Sequence, residues 1–156
     1  MSLKLIKCKG DIFDTSADII CNAVNCRGAM CGGIAAAFKS KFPKMNEAYE
    51  DACNEGKGIV KIGSGHFYKL SATESNNWHI IANVPTMKLP GSEASVIDIS
   101  LSLINLFEFA SNHGYKTIAM PYLGCGVGGL EPEIFEKMLR TYKTEDDITV
   151  LLVEYK

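Results

Sequence analysis

The chain carries six cysteines but no C-x-x-C pair, and its three histidines, His66, His79 and His113, lie far apart. Structural zinc needs ligands in closely spaced pairs, so no metal is expected. Cys8, Cys21, Cys26, Cys31, Cys53 and Cys125 sit mostly among apolar neighbours, as reduced thiols in a core do. That points to a reducing, cytoplasmic setting. Positive charge is not in excess: 16 Lys and Arg stand against 18 Asp and Glu, a net charge of −2 with pI near 5.9. Independent binding of duplex nucleic acid by general electrostatics is therefore not expected, although a local basic patch stays open. No apolar run approaches membrane-spanning length, and the opening MSLKLIKCKG lacks the apolar region of a signal peptide. Internal repeats, low-complexity tracts and linkers are missing as well.

What is present suits one domain over residues 1–156. This length buries most of its apolar surface without staples, and 47% hydrophobic with 22% charged residues is an ordinary globular composition. A monomer is expected.

The chain is organised around Asp18 to Phe42. Ile19-Ile20-Cys21 reads as a buried strand, and Asn22 and Asn25 then bracket Ala23-Val24. The small-residue loop Arg27 to Gly33 runs straight into Ile34-Ala35-Ala36-Ala37-Phe38, a strong helix former. Strand, glycine loop and helix start together make an anion site, because residues without Cβ let backbone N–H groups approach a phosphate. The spacing here fits neither the Walker loop nor the Rossmann fingerprint. Taken alone, Gly32-Gly33 reads equally well as a tight turn. Asn25 favours the ligand reading, since a carboxamide can serve a sugar hydroxyl as donor and acceptor.

Strands are predicted over Leu3–Lys7 (an edge strand), Asp18–Ala23, Gly65–Leu70, Trp78–Val84, Lys116–Met120 and Asp147–Glu154. Gly10 to Asp14 reads as a turn and Pro85 to Gly91 as irregular. Helices are predicted over Gly33–Lys41, Lys44 to about Cys53, Glu93–Asn112 with Ser92 as its cap, and from Glu131-Pro132 onward. In the third, Val96, Ile99, Leu103, Phe107 and Ala110 form the apolar stripe, widened by Ile97, Leu101 and Ile104. The alternation implies a three-layer α/β/α fold around a mixed, mainly parallel sheet of about six strands. A second glycine loop, Gly124 to Gly129, also follows a strand. Open sheets of this kind bind ligands beyond the carboxyl ends of their strands, so two facing loops make a clamp for a diphosphate.

Four stretches in register resemble the macrodomains, a family that binds ADP-ribose: Gly10-Asp11-Ile12-Phe13, Asn22-Ala23-Val24-Asn25, Gly32-Gly33-Ile34-Ala35, and Pro121 to Gly128. The second loop is most similar to the branch holding DNA-targeting toxin–antitoxin macrodomains and lysine-using glutamyl-ADP-ribose hydrolases. Yeast-type ADP-ribose 1″-phosphate phosphatases are more distant, with a similar Gly-Gly-Ile-Ala stretch. The resemblance implies that Asp11 accepts from the adenine amine and that the Ile12 N–H serves the ring. It places Asn25 on the distal ribose; Asn22 is read as structural. Gly32, Gly33 and Ile34 would line one side of the diphosphate, with Gly124, Cys125, Gly126, Val127 and Gly128 along the other.

The chain departs from that pattern at three places. The hydrolase lysine that directly follows threonine is replaced by Met87, and a lysine comes only at Lys88. The hydrolase loop aspartate aligns with Gly128, where the toxin–antitoxin branch also has glycine. An aromatic that stacks on the distal ribose near Gly128 in many macrodomains is missing too. Asn25 and Lys88 are the expected catalytic residues, with no cofactor, for an ADP-ribosyl hydrolase or ADP-ribose 1″-phosphate phosphatase. A cysteine nucleophile at Cys26 or Cys125 is the weaker alternative. Two non-catalytic readings stand beside these: a reader of ADP-ribosylated partners, and a module recognising ADP-ribosylated nucleic acid.

Overall fold

The computed structural model describes residues 3–26, 28, 30, 32–54, 63–87, 95–126, 129–144 and 146–155. Among them six strands form one sheet: β1 (Lys4–Gly10), β2 (Ile19–Asn25), β3 (His66–Lys69), β4 (Ile80–Met87), β5 (Thr117–Pro121) and β6 (Thr149–Tyr155). Their spatial order is β1-β6-β5-β2-β4-β3. Only β3 runs antiparallel to its neighbour, so the sheet is mixed and mainly parallel, with β1 on an edge as expected.

Strand alternation then sorts the core into two layers. Ile19 and Cys21 of β2, with Ile80 and Ala82 of β4, pack under α3 (Val96–Asn112) and α4 (Pro132–Arg140). Ile20, Val24 and Ile81 face the other way, against α1 (Gly33–Lys41) and α2 (Pro43–Asn54). Helices thus cover both faces, and the three-layer α/β/α expectation is met. No helix among the described residues is long and apolar enough to cross a membrane.

Several boundaries differ from the sequence reading, each for a local reason. β2 continues past Ala23 because Asn22, fully buried, donates from Nδ2 to Asn83 Oδ1 at 3.1 Å on β4. A polar residue that finds its partner across the sheet does not end the strand. β4 starts two residues late and runs on through Pro85-Thr86-Met87, which had looked irregular. Proline is tolerated there because β3 pairs with β4 only over Ile80 to Asn83, so no donor is lost on that side. α3 is capped by Ser95, whose Oγ accepts from Asp98 N at 3.4 Å. The expected cap, Ser92, lies outside the described residues. The buried face of α3 is Ile99, Leu103, Leu106, Phe107 and Ala110, while Val96, Ile97, Leu101 and Ile104 stand exposed.

Candidate functional site

Two neighbouring strands at the centre of the sheet part company. β2 and β5 pair only at Ile19–Ile118 and Ile20–Ala119, whereas β2 follows β4 along its whole length. Asp18 stitches their starting ends: its Oδ2 accepts from Lys116 N at 2.8 Å and Thr117 N at 3.1 Å, and its own N–H reaches Thr117 Oγ1 at 2.8 Å. From that stitch the strands diverge toward their carboxyl ends. β2 then leads into α1 on one face, and β5 leads toward α4 on the other. A pair of adjacent parallel strands whose connections leave in opposite directions is the crevice where open α/β sheets hold ligands. Both glycine loops emerge at it.

On the β2 side, α1 begins without a side-chain cap among the described residues. Gly32 is its extended N-cap and supplies no side chain, so the first N–H groups of the helix keep their capacity for an external acceptor. Gly33 has φ +56, a left-handed conformation that a side chain would strain. No described atom lies within 4 Å of where a Cβ would stand on Gly32, Gly33 or Gly126. The glycines therefore face open space and are not required for close packing. Ile34 is partly buried against the α1/α2 core and anchors the helix start.

On the β5 side, the loop closes on itself. Leu130 N bonds Gly124 O at 2.9 Å, Gly129 N bonds Gly126 O at 3.1 Å, and Cys125 N bonds Tyr122 O at 3.2 Å. The N–H of Cys125 is thus already engaged. Tyr122 pins the loop to α4 by donating to Glu136 Oε1 at 2.5 Å, and Lys7 pairs with the same carboxylate oxygen at 2.9 Å. Val127 and Gly128 lie outside the described residues.

Cys125 does not have the character of a nucleophile. Burial, with Glu133 nearby, pushes its thiol up to about 11, and its Sγ contacts Leu123 O at 3.7 Å. A thiol raised so far forms little thiolate near neutral pH. Burial also pushes the Cys21 thiol far above its ordinary value. No group of three metal-ligating side chains comes together among the described residues.

Asp11 caps the 3-10 turn Ile12–Asp14, with its Oδ1 accepting from Phe13 N at 2.9 Å. One carboxylate oxygen thus does the work of a turn residue, and the side chain remains exposed. Ile12 is buried, 4% exposed, so its contribution to any ligand comes through backbone. Beside this turn lies a residue the sequence reading passed over. Tyr155, at the end of β6, is in register with Gly10 and 81% exposed. Only the β1–β6 pairing brings it there.

Asn25 ends β2 at the crevice and is 7% exposed. Between Val24 and Asn25 the β2–β4 register shifts, Val24 facing Pro85 and Asn25 facing Met87, so Thr86 is the extra residue of a bulge. The bulge puts Met87 rather than Thr86 on the Asn25 face. Lys88 follows outside the described residues, as does Cys31.

A buried polar chain supports this end of β2. Asn83 accepts from Asn22 on Oδ1, and its Nδ2 meets His66 Nδ1 at 3.2 Å and Met45 Sδ at 3.3 Å. With the Asn83 oxygen occupied, His66 Nδ1 is the acceptor, which makes the neutral ring with its proton on Nε2. Burial accordingly lowers the His66 pKa from its ordinary 6.5. Stability should fall as the pH drops below about 6.5, because the unfolded chain then takes up a proton that the folded chain refuses. The loss levels off once the folded pKa is passed. Urea midpoints above and below that range check this, and His66→Gln should shrink the difference. An unchanged difference in His66→Gln would assign the pH dependence to other groups.

With the crevice in place, comparison with known proteins becomes informative. The Macro domain family profile matches residues 21–139. The DNA ADP-ribosyl glycohydrolase of Mycobacterium tuberculosis is 32% identical over 130 residues, covering 83% of this chain. The chain spans only 36% of that protein's length. The ADP-ribose 1″-phosphate phosphatase of Candida albicans is 26% identical over 147 residues, covering 86% of this chain and 90% of that protein. Among solved structures, the macrodomain of Mycobacterium tuberculosis DarG superposes with a TM-score of 0.87 at 30% identity, covering 96% of each chain. Thermosipho africanus DarTG in complex with ADP-ribose gives 0.87 at 28% identity, over 98% of this chain and 42% of that one. On the family profile and these relatives together, the chain belongs to the macrodomain family.

Proposed function

We propose that this chain binds ADP-ribose, or a terminal ADP-ribose group, in the crevice between β2 and β5, and hydrolyses a derivative of it. The observation that carries the reading is the divergence of β2 and β5 between two glycine loops, one of them an uncapped helix start. That geometry suits a diphosphate, with one sugar at either end. Gly32, Gly33 and Ile34 take one side of the diphosphate, and the second loop, Gly124 to Gly128, takes the other. Asn25 meets the distal ribose. Asp11, with its second carboxylate oxygen, and the Ile12 backbone meet adenine.

Tyr155 adds a ring face beside Asp11 on which a base can stack. Tyr155→Ala is expected to weaken ADP and ADP-ribose equally, by about 1–3 kcal/mol, since both carry the adenine. Calorimetric titration of both ligands checks this, and a loss confined to ADP-ribose would move Tyr155 to the other end of the ligand.

The reaction class follows from the relatives. The DNA ADP-ribosyl glycohydrolases make ADP-ribose linked to a DNA base the first substrate to try, and the phosphatases make ADP-ribose 1″-phosphate the second. In glycoside cleavage the bond from the anomeric carbon to the base breaks, water supplies the hydroxyl to carbon, and its proton goes to the leaving base. Positive charge grows on the sugar and negative charge on the departing base, so a positioned water and a cation set beside the leaving base, away from the sugar, raise the rate. With the Cys125 thiol held protonated, Lys88 and Asn25 carry the catalytic proposal. A lysine near its ordinary pKa of about 10.4 acts as a fixed charge unless its surroundings lower it.

Incubation with an ADP-ribosylated thymidine oligonucleotide, ADP-ribose 1″-phosphate and glutamyl-ADP-ribose, followed by detection of free ADP-ribose, tests the reading. Lys88→Ala should cut turnover by about a hundredfold while leaving ADP-ribose affinity nearly unchanged. Full turnover in Lys88→Ala with none in Asn25→Ala would assign the chemistry to a water held by Asn25. Tight binding without turnover on all three would leave a non-catalytic reader of ADP-ribosylated partners. The chain is proposed to act as a cytoplasmic monomer, which light scattering at the 17.0 kDa mass of one chain would support.

A further inference from the structure

Tyr49 heads the largest fully buried side chains, with 0% exposure on α2. A tyrosine in such a place needs a partner for its hydroxyl, because an orphan hydroxyl in an apolar layer is costly. The partner is specific: Tyr49 OH donates to the backbone carbonyl of Asn25 at 2.7 Å. Cys53 lies one turn further along the same helix, and its thiol helps to raise the phenol's pKa. Burial pushes the phenol far above its ordinary value, so it remains a protonated donor throughout the working pH range.

The site of that bond matters more than its strength. Asn25 is the last residue of β2, beyond the stretch that pairs with β5 and next to the bulge at Thr86. Sheet pairing holds the backbone there on one side only, by β4 across the bulge. A hydrogen bond to the Asn25 carbonyl restrains its ψ angle, and with it the direction of its Cα–Cβ bond and the exit of the chain toward Gly32. The Tyr49 ring is held in turn. It packs edge-on against His66 with ring centroids 5.3 Å apart, and His66 connects through Asn83 to Asn22, three positions before Asn25 on the same strand. The contacts close into a circuit that begins and ends on β2.

We infer that Tyr49 is a positioning residue that holds Asn25 in the orientation needed to read the distal ribose. The inference rests on the proposed role of Asn25. It extends that role to a side chain on another helix that touches no ligand. Residues that fix the geometry of a binding group act through that group alone, so their loss should be felt by one part of the ligand and not by the rest.

The test is calorimetric titration of ADP-ribose and ADP into the unmodified protein, Tyr49→Phe, Asn25→Ala and the double variant. Tyr49→Phe should weaken ADP-ribose about tenfold and leave ADP within about twofold, as expected for loss of one buried hydrogen bond acting on one sugar. The double variant should bind like Asn25→Ala alone, because the positioning residue has nothing left to position. Equal weakening of both ligands in Tyr49→Phe would mean a merely structural role and would overturn the inference. Unchanged affinity for both would overturn it too. If the unmodified protein does not prefer ADP-ribose to ADP, the ribose reading of Asn25 fails first, and visibly so, before any variant is made. Should Tyr49→Phe not fold, 4-fluorophenylalanine at position 49 fills the space of the hydroxyl without its donor and is read against the same outcomes.

Discussion

Asn25→Ala should abolish the preference for ADP-ribose over ADP. ADP lacks the distal ribose, so every contact that favours ADP-ribose is made at that sugar. A carboxamide offers donor and acceptor to neighbouring hydroxyls, and each such bond contributes about 0.5–1.5 kcal/mol net. Two of them amount to a loss of about tenfold to hundredfold in ADP-ribose affinity, with ADP unaffected. The fold should survive, since the hydrogen bond from Tyr49 to the backbone carbonyl of Asn25 is kept in the variant. A thermal melt within a few degrees of the unmodified protein would confirm that. Asn25→Asp gives a second reading of the same position. It keeps the acceptor, loses the donor and adds negative charge near the diphosphate, so it should bind no better than Asn25→Ala.

Phe38→Ala should be the most damaging change to stability, and it should strike the site through its foundations. Phe38 is fully buried on α1, 4.8 Å between ring centroids from Phe13 and 6.2 Å from Phe42. Trp78 sits edge-on to both Phe13 and Phe42 and donates from Nε1 to Thr15 Oγ1 at 3.2 Å. This cluster ties the Asp11 turn to the helix whose start faces the crevice. Removing a fully buried phenyl ring costs about 3–5 kcal/mol, against a total of about 5–15 for a domain. The urea midpoint should fall sharply with little change in slope. Saturating ADP-ribose should restore part of the loss, about 2.7 kcal/mol at a hundred times its Kd, because it binds only the folded form. A midpoint that ADP-ribose does not raise would show that the variant no longer forms the site.

The sequence was most informative where one residue type serves a local need. Gly33–Lys41 is helical over the limits expected, because glycine before it and proline after it punctuate the chain locally. The two core layers followed from strand alternation, as Ile19 and Ile20 on opposite faces show. What escaped depends on register between distant segments. The expected end of β2 at Ala23 falls two residues short, because Asn22 has its partner, Asn83, 61 residues away. The bulge at Thr86 has no composition of its own and arises from how β4 follows β2. Asp18 begins the predicted strand without a sign of its role, which is to stitch two strands at the opposite end of β2 from Asn25. Tyr155 becomes a candidate only once β1 and β6 are paired, and Tyr49 only once α2 is laid over the end of β2.

A crystal structure of the protein saturated with ADP-ribose would test the central claim most directly. The diphosphate should lie between Gly32–Ile34 and the loop that starts at Gly124, with the distal ribose against the Asn25 carboxamide and adenine beside Asp11 and Tyr155. Ligand bound away from the opening between β2 and β5, or bound there with adenine at Asn25 and the distal ribose at Asp11, would contradict it.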